Sequence, residues 1–151
     1  MKYDDAAWHY GGSFSERLPD EAGATHIGMF LGWALIRGLA GDYLLDEEDS
    51  AADIKRVQAR ELLPREFFLR YCDGKLWDDD LSDEGNAFAL AYYDGDSIPY
   101  YSDLAMLSEG LESVYHIPNS WESFDKIVEV IDKRYTEWKR LGHFSDDQDA
   151  D

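Results

Sequence analysis

Cysteine is almost missing from this 151-residue chain: Cys72 stands alone, so no internal disulfide can form and no thiolate pair can hold a metal. Its setting, FFLRYCDG, reads as the buried end of a helix, a core position and not a reactive one. Basic side chains are scarce as well, with 14 Lys and Arg against 33 Asp and Glu and a net charge of −19. A surface so acidic repels nucleic acid and anionic membrane, because both are bound through cations that neutralise phosphate. No apolar run approaches the roughly 20 residues of a membrane span. The first residues, MKYDDAAWHYGG, show neither an apolar core nor a small-residue cleavage site, so no export signal is visible and a reducing cytoplasm is the expected setting. Absent too are GxSxG, GxGxxG, GKS or GKT, HExxH and the EF-hand spacing, which removes the usual sequence basis for nucleophilic, nucleotide or calcium chemistry.

What the chain does have is apolar and aromatic content, 44% and 15% of its residues, too much for a disordered acidic polymer. Its length suits one domain with a real core. The stretch THIGMFLGWALIRGLAG, Thr25 to Gly41, is apolar on nearly every side of a helical period and predicts a buried central helix over Thr25 to Ala40. Thr25 is expected to cap it and Gly41 to end it, while Gly28 and Gly32, one turn apart, invite a close neighbour. The aromatic and glycine-rich arm before Pro19, with Trp8, His9, Tyr10, Gly11 and Gly12, should lie tied down on that helix.

The remainder predicts more helices. Ser50 with Asp53 suggests a capping box; Pro64 starts a short helix that Asp73 and Gly74 stop; Lys75 to Asp80 reads as a turn or loop. Ser82 caps a helix to about Tyr93, closed by Asp94 and Gly95, and Pro99 opens another to about Glu109 with Leu104, Leu107 and Leu111 in step. From Asn119 or Ser120, the residues Trp121, Phe124, Ile127 or Val128, Ile131, Tyr135 and Trp138 give the clearest period, with Glu122–Lys126 and Glu129–Lys133 on the opposite face. The fold class is thus mainly α, one compact domain over 1–142 around a buried helix, with a polar tail at 143–151 that should fray. A short strand pairing near Tyr3 or Tyr115 would not change that class.

The patterns KYDDAAWHYGG, GATHIGMFLGWA, CDGK, DEGNAFALAYY and YHIPNSWESFDKIVEVIDKRY, spread from Lys2 to about Trp138, resemble a family of small acidic bacterial proteins with no established function. In size and charge its members are similar to the immunity proteins that bacteria make against their own toxins. The resemblance implies a shared compact domain and supplies no catalytic residue.

Three constellations carry possible chemistry. Asp4, Asp5, His9 and His26 could hold zinc or iron in a small metal-dependent enzyme, but no ligand spacing fixes them, so no metal or cofactor is expected; the plainer reading has His26 bonded in the first helical turn and His9 packed among aromatics. Asp78, Asp79, Asp80, Asp83 and Glu84 could pair for acid-base work, yet read as solvated acids at a helix entry. A protein-binding face is the reading adopted: acids Asp78, Asp79, Asp80, Asp94 and Asp96 steering, and Tyr92, Tyr93, Tyr100 and Tyr101 anchoring, a cationic protein partner. The functional expectation is a non-enzymatic immunity protein that occludes a basic toxin domain, a nuclease for instance.

Overall fold

A computed structural model supplies the architecture, described for residues 1–9, 18–94 and 98–142. Helix α1 (Thr25–Ile36) is buried at every residue from Thr25 to Leu35, as its all-round apolar sequence demands. The helix is not capped by Thr25, which lies inside it; the Thr25 hydroxyl instead accepts from Arg65 Nη1 at 3.1 Å. Nor does it reach Gly41. Gly38 adopts φ +77°, Leu39 N–H donates to Ala34 O and Gly38 N–H to Leu35 O, which closes α1 at Ile36, short of the expected Ala40, in a Schellman turn. Gly41 has another use: a Cβ there would lie 2.4 Å from Asp79 O and 2.8 Å from Leu81 O, so only glycine lets these two backbones meet.

Six further helices are present among the described residues: α2 (Asp42–Leu45), α3 (Glu48–Gln58), α4 (Pro64–Cys72), α5 (Asp83–Tyr92), α6 (Pro99–Leu107) and α7 (Trp121–Arg140). Helix α4 sits on the glycine face of α1. A Cβ on Gly28 would stand 2.8 Å from Arg65 Cα and one on Gly32 2.6 Å from Pro64 Cβ, so the spacing of these glycines sets how closely the helices approach. Helix α7 buries Phe124, Ile127, Ile131, Tyr135 and Trp138, the predicted stripe, and Ser120 caps it by accepting from Ser123 N–H. Ser82 caps α5 in the same way. Ser50 caps nothing: α3 begins two residues earlier, Ser50 donates to Leu44 O, and Asp53 is occupied by Tyr71, Arg70 and Arg56. Helix α6 stops at Leu107, leaving Leu111 exposed outside the stripe.

Lys75 to Asp80 is not simply a loop. Strand β2 (Lys75–Trp77) pairs antiparallel with β1 (Lys2–Asp5), placing Lys2 opposite Trp77 and Asp4 opposite Leu76, with an irregularity between Lys2 and Asp4. The left-handed pair Asp73 (φ 54°) and Gly74 (φ 75°) turns α4 into β2, and Gly74 O accepts from Ala6 N–H. A 3-10 turn, Ala6–His9, follows β1 and carries the arm to α1. Trp8 is exposed, with the Lys2 ammonium over its ring, so it does not anchor the arm; the polar side chains described below do. Tyr10, Gly11, Gly12, Gly95, Asp96 and the expected tail 143–151 lie outside the described residues. Among the described residues no helix is long and apolar enough to cross a membrane.

Candidate metal centre

Asp4, the third residue of β1, is 1% exposed and aims its carboxylate at the first turn of α1. All of its acceptor positions are taken. Oδ1 accepts from Asp5 N–H at 2.8 Å and pairs with His9 Nε2 at 2.8 Å; Oδ2 accepts the hydroxyls of Tyr93 at 2.6 Å and Tyr101 at 2.5 Å. Tyr93 caps the C-terminus of α5, Tyr101 lies in the first turn of α6, and the pairing with β2 brings Asp4 under both. Burial by itself would push this carboxyl upward; the donors and imidazoles around it outweigh that and hold it well below the usual carboxylate range. Asp5 faces away, accepting from Lys2 Nζ and from Ala7 N–H, and takes no part.

His9 closes the 3-10 turn after β1. Its Nδ1 lies 2.8 Å from the Tyr115 hydroxyl, and the network is satisfied when Nε2–H donates to Asp4 while Nδ1 accepts from Tyr115. His26, second residue of α1, stands edge-on to His9 with ring centroids 4.5 Å apart. It is 2% exposed, and neither ring nitrogen has a hydrogen-bond partner. Its Nε2 is 3.6 Å from Asp4 Oδ2, beyond hydrogen-bond reach. The cause is visible in Asp4, whose acceptor positions are already filled. Burial lowers the pKa of His26 despite the pull of the neighbouring carboxylate.

A neutral imidazole always carries one N–H, and His26 offers it to no protein acceptor among the described residues, although a buried donor left unpaired costs on the order of 1–3 kcal/mol. His26 borders a cavity of about 80 Å³ shared with His9, Tyr101, Leu104, Val114 and Tyr115. That volume suits an ion or a few waters but no organic substrate. One ligand atom from each of Asp4, His9 and His26 lies within 4.8 Å of the others. In a tetrahedral site with bonds near 2.1 Å, ligand atoms stand about 3.4 Å apart. The 3.6 Å spacing of His26 Nε2 and Asp4 Oδ2 is close to this, and His9 Nε2 lies 2.8 Å from the other carboxylate oxygen, Oδ1. The plainer sequence reading of these histidines thus fails for His26, which finds no bond in the helical turn, and holds for the aromatic packing of His9.

The expected binding face is dispersed by the structure. Tyr92, Tyr93 and Tyr100 are buried at 3%, 0% and 0% exposure, so they offer a partner no surface. Each spends its hydroxyl inside: Tyr92 on Asp103, Tyr93 on Asp4, Tyr100 on His26 O. The physical reason is that α5 and α6 turn the YY pairs at 92–93 and 100–101 inward, where the rings of Tyr92, Tyr93 and Tyr100 pack around Phe30 of α1. Tyr101 is half-buried and bonded to Asp4. Of the acids, Asp79 is exposed and Asp78 and Asp94 half-exposed, whereas Asp80 is buried, accepting from Trp77 N–H at 2.9 Å. Burial pushes Asp80 up to about 6 and also raises the Cys72 thiol beside it.

A larger apolar groove of about 720 Å³ runs between α5, α6 and α7, bordered by Phe88, Met106, Val130 and Leu141. Its central polar groups are engaged with one another, Arg134 gripping Asp103 with two bonds and Glu137 paired with Arg140, so it aims no free chemistry inward.

A family described as a domain of unknown function (DUF7832) matches residues 2–117, a stretch that contains every member of the histidine-aspartate cluster and ends before α7. No curated protein and no solved structure matches the chain.

Proposed function

The chain belongs to the DUF7832 family, and since that family's function is unknown we propose from this chain's own side chains that it is a metal-binding domain, holding one divalent transition-metal ion through Asp4, His9 and His26. The observation that carries this is His26, a fully enclosed imidazole whose nitrogens meet no protein hydrogen-bond partner, lining a cavity of ion size together with the His9 imidazole and standing 3.6 Å from the Asp4 carboxylate. Two imidazoles and one carboxylate suit zinc or ferrous iron. On entry of the ion, His9 would turn Nε2 to it and donate Nδ1–H to Tyr115, the outer contact that metal-bound histidines usually make.

Elemental analysis and calorimetric titration of chelator-stripped protein with Zn²⁺ test this. One ion per chain is expected, with a thermal stabilisation that grows with zinc concentration. His26→Leu should abolish binding while leaving the stripped protein as stable as before, or about 1 kcal/mol more stable, since an unpaired polar group is removed. A wild type that takes up no ion, or a His26→Leu protein that binds as well, overturns the proposal.

A net charge of −19 favours a second reading, in which the acidic surface engages a cationic protein, the toxin-immunity case included. With Tyr92, Tyr93 and Tyr100 in the core, that reading now rests on charge. It requires an association rate that falls steeply with salt; capture of no basic partner, or a rate indifferent to salt, removes it.

A further inference from the structure

We infer that Tyr101 is the fourth ligand, so that the metal centre is a closed clasp fastening the N-terminal strand to α1 and α6 and not an open Lewis-acid site. This rests on the metal reading above. Three hydroxyls surround the cluster, and their positions separate them. Tyr115 sits on the far nitrogen of His9, Nδ1, where it orients the ring from outside. Tyr93 bonds Asp4 but does not border the cavity. Tyr101 does both: its hydroxyl lies 2.5 Å from Asp4 Oδ2 and 3.4 Å from His9 Nε2, and it forms part of the cavity wall. The second distance is already that between neighbouring ligands of a tetrahedral ion. The first is a hydrogen bond that would lengthen by somewhat less than 1 Å as the cation takes the proton's place.

Charge argues the same way. A divalent ion held by Asp4 keeps one positive charge uncompensated beside a cavity walled by His9, His26, Tyr101, Leu104, Val114 and Tyr115, and among the described residues no carboxylate borders that cavity. Uncompensated charge in such surroundings is costly. The Tyr101 oxygen, bound as phenolate, makes the centre neutral. The step balances: the phenol O–H bond breaks, its proton leaves to solvent, and the oxygen pair forms the bond to the metal. Four protein ligands leave no position for substrate, which is the pattern of structural sites. The ligands come from β1, the turn after it, α1 and α6, so the ion would tie together segments distant in sequence.

The test uses Cu²⁺ as probe, because copper binds nitrogen and oxygen sites tightly. Wild-type protein loaded with one Cu²⁺ should show an intense phenolate-to-copper charge-transfer band with tyrosinate modes in resonance Raman. Tyr101→Phe should lose both and bind Zn²⁺ at least about 10-fold more weakly, whereas Tyr115→Phe should keep the band. If metal binds at one per chain and depends on His26 but shows no phenolate signature, or if the signature survives in Tyr101→Phe, the fourth-ligand inference fails and the metal proposal stands. If neither Zn²⁺ nor Cu²⁺ binds the wild type, both fail.

Discussion

Asp4 and Asp80 are buried to the same degree, 1% and 2% exposed, yet their carboxyl groups are driven in opposite directions. Asp4 is held well below the ordinary range, Asp80 is pushed up to about 6. Burial pushes both upward; the difference lies in what faces each oxygen. Asp4 collects two phenols, an imidazole and a backbone N–H, while Asp80 has the Trp77 N–H and the Cys72 thiol, with Asp78 and Asp79 repelling it. Enclosure alone therefore says little about a charged group. One of these acids is built to stay ionised, and the other tolerates being neutral.

Removing Asp4 should break the comparison most severely. Asp4→Leu would strand the Tyr93 and Tyr101 hydroxyls, the His9 imidazole and the Asp5 N–H in a dry region, and a loss on the order of 3–5 kcal/mol in urea unfolding is expected. A loss under 1 kcal/mol would mean that the donors find other acceptors. For Asp80 the expected effect is one of pH. Its folded pKa of about 6 lies above the ordinary 3.8, so its contribution is present below pH 4 and is lost as pH rises through 6, a change on the order of 3 kcal/mol. Asp80→Asn should flatten that part of the stability profile, because an amide oxygen can still accept from Trp77 N–H. An unchanged slope between pH 4 and 7 would refute the assignment. The smallest of the three effects sharpens the contrast from the backbone side. Gly41→Ala forces a Cβ into Asp79 O and Leu81 O, at a cost of about 2 kcal/mol, and by lifting the turn it should admit water to Asp80. Its stability should then depend less on pH over the same interval than that of the wild type.

Legibility in the sequence followed how local the determining physics is. Helix α1 was readable because its residues are apolar in every direction, and the Gly28 and Gly32 contact because both lie on one face. The caps at Ser82 and Ser120 depend on three-residue spacings and were readable for the same reason. In the sequence Gly41 reads as the terminator of α1, whereas Gly38 ends it; the clash of a Cβ at Gly41 with Asp79 and Leu81 comes from a segment far along the chain. Asp4, His9 and His26 were visible as residue types, but their convergence depends on β1 finding β2, which weak strand signals do not announce. The tyrosines misled for a related reason. A YY pair beside acids looks like a surface anchor until two helices fold back and give each hydroxyl an internal acceptor.

The antiparallel register has a consequence in time as well as in space. Lys2 waits for Trp77, and Asp4 waits further for Tyr93 and Tyr101, so β1 is completed only after a long stretch of the chain that follows it has been made. Closing so long a loop carries an entropic cost that local helix contacts avoid, which puts the docking of β1 late in the folding sequence. Interactions formed after the rate-limiting step govern how fast a protein comes apart and not how fast it assembles. The penalty of Asp4→Leu should accordingly be seen in the unfolding limb of a chevron, with the folding limb nearly untouched, and an ion bound at this place would act as a latch on the native state's lifetime.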